Sequence, residues 1–188
     1  MKPLFGALFI ICSVMRISFA QDSIPALDKS PMDMSYYPAN YPVLKVQDKA
    51  SVPLMARVIY GRPSKNGRKI FGELLEYGKV WRLGANEATE IEFYRDVQVK
   101  NVRVKKGRYT LFAIPYEEKW TIIINKETDT WGSFKYDSKK DVVRMDVAVE
   151  KLPESAEPFT LFFEKLSKGI SLQIRWDDIK VVFPISTL

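Results

Sequence analysis

From residue 54 to residue 185 the side chains alternate between apolar and polar with a period close to two. Successive strand residues point to opposite faces, so this period specifies sheet rather than helix. Leu54, Ala56, Val58 and Tyr60 interleave with Met55, Arg57 and Ile59. Between Thr89 and Arg95, Ile91 and Phe93 face one way and Glu90 and Glu92 the other. Val97-Gln98-Val99 and Val102-Arg103-Val104 flank Lys100-Asn101, a two-residue hairpin in which Asn tolerates a left-handed backbone. Lys105-Lys106-Gly107 turns the chain into Tyr109–Ile114, which Pro115 ends, and Trp120–Asn125 follows. Val142–Val149, Phe159–Leu166, Ile170–Trp176 and Lys180–Ile185 complete the series, with turns at Lys168-Gly169 and Asp177-Asp178. About nine short strands at near-regular spacing predict an all-β fold, a single antiparallel β-sandwich. One segment departs from the period. Ile70, Leu74 and Tyr77 recur at three- and four-residue steps and Gly78 is a natural stop, which predicts one short helix in the 60–89 crossover.

The N-terminus is built differently. Lys2 precedes a mostly apolar, uncharged run from Leu4 to Met15, and Ser18-Phe19-Ala20 supplies small residues where a signal peptidase reads. Residues 1–20 therefore read as a cleaved signal peptide, with Gln21 as the mature N-terminus and a periplasmic or extracellular destination. The run is shorter than the ~20 residues of a spanning helix, and no later segment is apolar for long enough to span a bilayer. Losing Lys2 and Arg16 lowers the net charge from +6 to +4. Residues 21–52 form a Pro/Tyr-rich arm, in which Pro25, Pro31, Pro38 and Pro42 recur too often for a helix or a central strand. Tyr36, Tyr37 and Tyr41 would pin this arm to a single domain over residues 53–188.

Two absences narrow the chemistry. The chain has no histidine, and its one cysteine, Cys12, lies in the signal stretch without a lipobox. The mature protein therefore lacks a Cys nucleophile, a disulfide, a His base and any His or Cys metal site, and no cofactor is called for.

Positive charge gathers near sharp turns between Tyr60 and Thr89, at Arg62, Lys65, Arg68, Lys69, Lys79 and Arg82. Trp81 adjoins Arg82, and a Gly-rich approach leads to Asn86 and Glu87. As a ligand site, Arg62, Arg68 and Arg82 would hold a carboxylate, sulfate or phosphate, Trp81 would stack, and Asn86 with Glu87 would orient hydroxyls. The alternative is structural: Arg62, Arg82 and Glu87 would form one ion-pair network, with Trp81 in the core. Loops rich in such residues are more often functional than strands are.

Other groups carry less. Glu73, Glu76, Glu87, Asp137 and Asp141 offer a glycosidase its two carboxylates, but none of their spacings is diagnostic. Glu127-Thr128-Asp129 and Asp177-Asp178 are too sparse for Ca²⁺. Ser64 has no His partner, and pairing with Lys65 or Lys69 rests on sequence proximity alone. The modest charge and the lack of a basic stripe interleaved with aromatics exclude a nucleic-acid partner.

The chain resembles a large family of exported bacterial proteins catalogued as a domain of unknown function, number 2911. The resemblance rests on Ser30-Pro31-Met32-Asp33, Arg62-Pro63, Gly67–Gly72, Tyr77-Gly78, Val80-Trp81-Arg82, Gly84–Thr89, Gly107 with Tyr109-Thr110-Leu111, Ile114-Pro115, Trp120, Asn125, Trp131-Gly132, Tyr136, Asp141 with Arg144, and Trp176-Asp177. It departs at Asn101, where family members often carry Gly. It implies export and a β-rich domain, and it implies no activity.

The function expected is an exported binding or accessory module for an anionic or carbohydrate-like ligand, working without covalent chemistry. A carboxylate-dependent glycan hydrolase led by Glu87 and a structural or protein-interaction domain are the alternatives. The oligomeric state is left open.

Overall fold

The computed structural model describes residues 24–188, so the signal-peptide reading of residues 1–20 lies outside the described residues. In chain order the elements are β1 (Met32–Tyr37), α1 (Tyr41–Val46), β2 (Ala56–Gly61), β3 (Glu90–Phe93), β4 (Val97–Val99), β5 (Val102–Val104), β6 (Gly107–Pro115), β7 (Lys119–Asn125), β8 (Asp141–Leu166) and β9 (Gly169–Thr187). A one-turn 3₁₀ helix at Ser138–Lys140 precedes β8. The strands pair antiparallel in one nine-stranded sheet of order β1-β2-β3-β6-β7-β8-β9-β4-β5. The sheet is not closed, and β1 and β5 are its edges.

The alternation decides which face goes inward. Ala56, Val58 and Tyr60 of β2 are buried, while Arg57 and Ile59 are partly exposed. Arg57 lies opposite Glu92 of β3, and the two side chains pair across the outer face at 2.6 Å. Tyr60, Phe93, Trp120, Phe159, Ile174 and Phe183 join a single core fed by both halves of the sheet.

Four expected strands prove to be two. β8 pairs with β7 through Ala148 and with β9 from Val149 onward, so one strand serves both neighbours. Its register shifts between Lys151 and Ala156 and again between Ala156 and Thr160. Opposite this irregularity Asp177 adopts φ 53° inside β9. The Asp177-Asp178 doublet is thus a kink in a continuous strand, because a single left-handed Asp bends the chain without ending the ladder. In the β4–β5 hairpin the left-handed residue is Lys100 (φ 52°), not Asn101.

Two expectations about the N-terminal half are corrected. The arm is not wholly irregular: β1 pairs with β2 from Met32 opposite Gly61 to Tyr37 opposite Ala56. Pro31 and Pro38 bracket this strand instead of interrupting it, and an edge tolerates proline nearby. The short helix lies in the arm, at α1 with Pro42 in its first turn. Residues 70–78 are turns. The Leu75 amide donates to Ile70 O (2.8 Å), the Gly72 amide donates to Leu75 O (2.9 Å), and Gly72 sits at φ 85°. Ile70 and Phe71 enter the core, whereas Leu74 and Tyr77 are exposed, so the three-and-four spacing marks no buried face.

Candidate functional site

The crossover from β2 to β3 lies against both halves of the sheet. The Phe159 amide of β8 donates to Pro63 O (2.8 Å), and the Lys65 amide donates to Glu157 O (2.9 Å). After a turn at Asn66-Gly67 (φ 51° and 69°), Trp81 exchanges both backbone hydrogen bonds with Ala113 of β6. Residues 82–89 then close a tight loop. The Thr89 amide donates to Arg82 O (3.0 Å), the Thr89 hydroxyl to Leu83 O, and the Trp81 indole to Gly84 O (3.0 Å). Leu83 and Asn86 take left-handed φ values of 54° and 60°, an arrangement the surrounding bonds must hold in place. The loop rests directly on the end of β2. A Cβ on Gly61 would stand 2.1 Å from Ala85 O, so only glycine permits this approach.

The six candidate residues divide. Trp81 is buried, its ring stacked on Trp176 (6.0 Å, 18°) with Trp120 and Phe159 against it at steep angles. Arg82 is half-buried. Among the described residues no side chain or carbonyl accepts from its guanidinium, and its Nε is fully enclosed without a partner. Burial holds its pKa below the ordinary arginine value. Arg68 donates Nε to Lys65 O (2.9 Å) and Nη2 to Ser64 O (2.6 Å), which fixes the Asn66-Gly67 turn. Asn86 donates Nδ2 to Asp28 Oδ1 (3.0 Å). Arg68, Trp81, Arg82 and Asn86, together with Ser30, line one cleft of about 300 Å³.

The other two lie elsewhere. Arg62 donates Nη1 to Asp33 Oδ2 (2.7 Å) and Nη2 to Thr160 Oγ1 (3.2 Å), tying the end of β2 to β1 and β8. Glu87 is exposed, pairs through its backbone with Trp131, and lines a separate depression of about 160 Å³ with Glu90 and Asp129. No ion pair joins Arg62, Arg82 and Glu87 among the described residues, so the single network considered above does not form.

Asp28 and Ser30 reach the cleft from the arm. Nothing in the local sequence marks Asp28, because its Asn86 partner is 58 residues away.

Three further polar clusters are already committed. Lys65 Nζ lies 2.5 Å from Asp177 Oδ1 and 3.3 Å from Ser155 Oγ. The Asp177 hydrogen bond raises the Lys65 pKa, so the amine stays protonated and cannot serve Ser155 as a base. Asp141 accepts from Asn125 (2.7 Å), Tyr136 (2.7 Å) and Arg144 (2.7 Å), a mutually satisfied set that anchors the loop before β8. Arg108 pairs with both Glu90 (3.3 Å) and Asp129. Among the described residues no three His, Cys, Asp or Glu side chains converge as metal ligands, and no helix is long and apolar enough to cross a membrane.

No curated protein and no solved structure matches this chain. One family model does, described as "Protein of unknown function (DUF2911)", over residues 45–185. That range takes in the crossover, the cleft-lining Arg82 and Asn86, and the Asp141 network, and it starts beyond Ser30–Asp33. With three-quarters of its length matched, the chain belongs to the DUF2911 family.

Proposed function

We propose that the protein is an exported binding module whose cleft takes a small ligand bearing a carboxylate, sulfate or phosphate. One observation carries the reading: Arg82 lines the cleft half-buried, with no acceptor among the described residues. A guanidinium withdrawn from water without a partner is costly, and an anion would supply the missing bidentate acceptor. The Asn86 amide and the Ser30 hydroxyl stand at the same cleft and would meet the ligand's neutral oxygens. Trp81 contributes as a floor rather than as a stacking platform, because its ring is enclosed by other aromatics. Arg62 and Glu87 play no direct part.

The test is a thermal-shift screen in low salt with inorganic phosphate, sulfate and glucuronate. Wild type gains stability with at least one of these probes, and Arg82→Met gains none. Equal responses from both proteins, or no response from wild type, would end this reading.

The hydrolase reading has one supporting observation: Glu87 is exposed and shares a depression with Glu90 and Asp129. Both neighbours are held by Arg108, however, which leaves neither placed as a free acid. Glycan-cleaving activity lost in Glu87→Gln would establish it over the binding module.

A further inference from the structure

We propose a second, independent site on the loop between β7 and β8: a saccharide groove built on Trp131 and Phe134, for a neutral pyranose oligosaccharide. Trp131 is 61% exposed and Phe134 85% exposed, whereas Trp81, Trp120 and Trp176 are all at or below 5%. Two large rings left in water represent unused apolar area. Their display is fixed by the fold and is not a loose end. On one side of Trp131 the Ala88 amide donates to Thr130 O (2.9 Å), and on the other the Gly132 amide donates to Asn86 O (3.0 Å). Gly132 takes φ 65°, a conformation that favours glycine, and the Phe134 ring lies over it.

The rings border a concave groove of about 480 Å³. That volume suits a small ligand, whereas a stable protein partner needs a broad surface of roughly 1,000 Å² or more. Its polar lining identifies the occupant further. Glu127 and Asp129 are held in place by Lys140 and Arg108, and each carboxylate keeps lone pairs for further donors. Lys135 adds a donor. Two carboxylates against two ammonium groups give the groove no net charge, which favours a neutral ligand over an anion or a cation. A pyranose with equatorial hydroxyls presents flat C–H faces to aromatic rings and hydroxyls around its rim. That matches rings flanked by fixed acceptors and donors.

Trp131 also supplies the assay, since it is the one tryptophan of the four open to a collisional quencher. Acrylamide quenching is followed while cellohexaose or the N-acetylglucosamine hexamer is added to the full protein. Saturable protection is expected, weakened about tenfold in Phe134→Ala. Calorimetry on Trp131→Ala should show a loss of at least about tenfold, with Trp131→Phe recovering part of it. Arg82→Met should bind both hexasaccharides as wild type does, which separates this site from the anion cleft. Three results would each overturn the proposal: no protection at millimolar hexasaccharide, binding indifferent to both ring deletions, or Trp131 shielded only by phospholipid vesicles or self-association.

Discussion

Replacing Arg82 by methionine separates a ligand-seeking arginine from a structural one. Met retains much of the aliphatic stem and removes the guanidinium. Burial holds the Arg82 pKa below its ordinary value in the folded protein, so the charged form is disfavoured by folding. This cost is present throughout the neutral range, where folded and unfolded chains are both protonated, and it is relieved only in strong alkali, as pH climbs through the depressed folded value toward the ordinary arginine value. At pH 7 the side chain therefore opposes folding. An unpaired buried polar group costs about 1–3 kcal/mol, and partial exposure of Arg82 argues for the lower end, about 1 kcal/mol. For a chain of this length that corresponds to roughly 2–4 °C in melting temperature. Arg82→Met should accordingly melt about 2–4 °C higher than wild type in ligand-free, low-salt buffer. An anion at a hundredfold its Kd stabilises wild type by about 2.7 kcal/mol, or roughly 5–10 °C, and leaves the variant unchanged. The order of the two melting curves thus reverses when ligand is added. Scanning fluorimetry with and without phosphate, sulfate and glucuronate reads this out. A ligand-free variant that melts several degrees below wild type would show that the guanidinium has a structural partner, and would refute the reasoning.

Other expectations follow from the same geometry. Gly61→Ala forces a Cβ into Ala85 O and should destabilise by roughly 3 kcal/mol, read by denaturant melts, with loss of any anion response as the 82–89 loop lifts. Burial, aided by neighbouring carboxylates, pushes the pKa values of Tyr60, Tyr94 and Tyr136 up to about 12. The folded state thus favours their protonated form, and its stability should fall as pH rises from the ordinary tyrosine value of 10 toward 12, with ultraviolet phenolate titration showing a late, cooperative step. Burial would raise the Asp177 pKa, but hydrogen bonds from Lys65 and Ser155 outweigh it and hold the value below the carboxylate norm. Its contribution is present above pH 3.8 and fades as pH falls further, so Asp177→Asn should flatten the acid limb of a stability–pH curve.

Much of this fold could be read from side-chain periodicity. Glu90-Ile91-Glu92-Phe93 declared its inner face because two burying residues alternate with two charged ones. The hairpin of β4 and β5 was legible from two Val-x-Val runs around a two-residue gap. Periodicity failed where polar residues sit inside continuous strands: Asp177-Asp178 looks like a turn, yet the ladder passes through it. It failed again at Ile70, Leu74 and Tyr77, whose spacing imitates a helix while Gly72 breaks the backbone. The site was legible only as a segment. That Arg62 meets Asp33 and Thr160 while Arg82 meets no acceptor among the described residues depends on which strands the topology brings alongside, and no local pattern encodes that. The exposure of Trp131 was equally hidden, since a tryptophan in a β-rich chain usually enters the core, as Trp81, Trp120 and Trp176 do.

The pairing of β4 with the end of β9 governs the order in which the molecule can assemble. Val97 lies opposite Thr187 and Gln98 opposite Ser186. A hairpin of two three-residue strands has little stability alone, so it must wait for the far end of the chain to be synthesised and to arrive. The β4–β5 hairpin therefore joins the sheet only once residues 186–187 are in place, with the slow kinetics of distant strand pairing. Trimming only three or four C-terminal residues should accordingly do damage out of proportion to their number, by releasing a hairpin from the middle of the sequence.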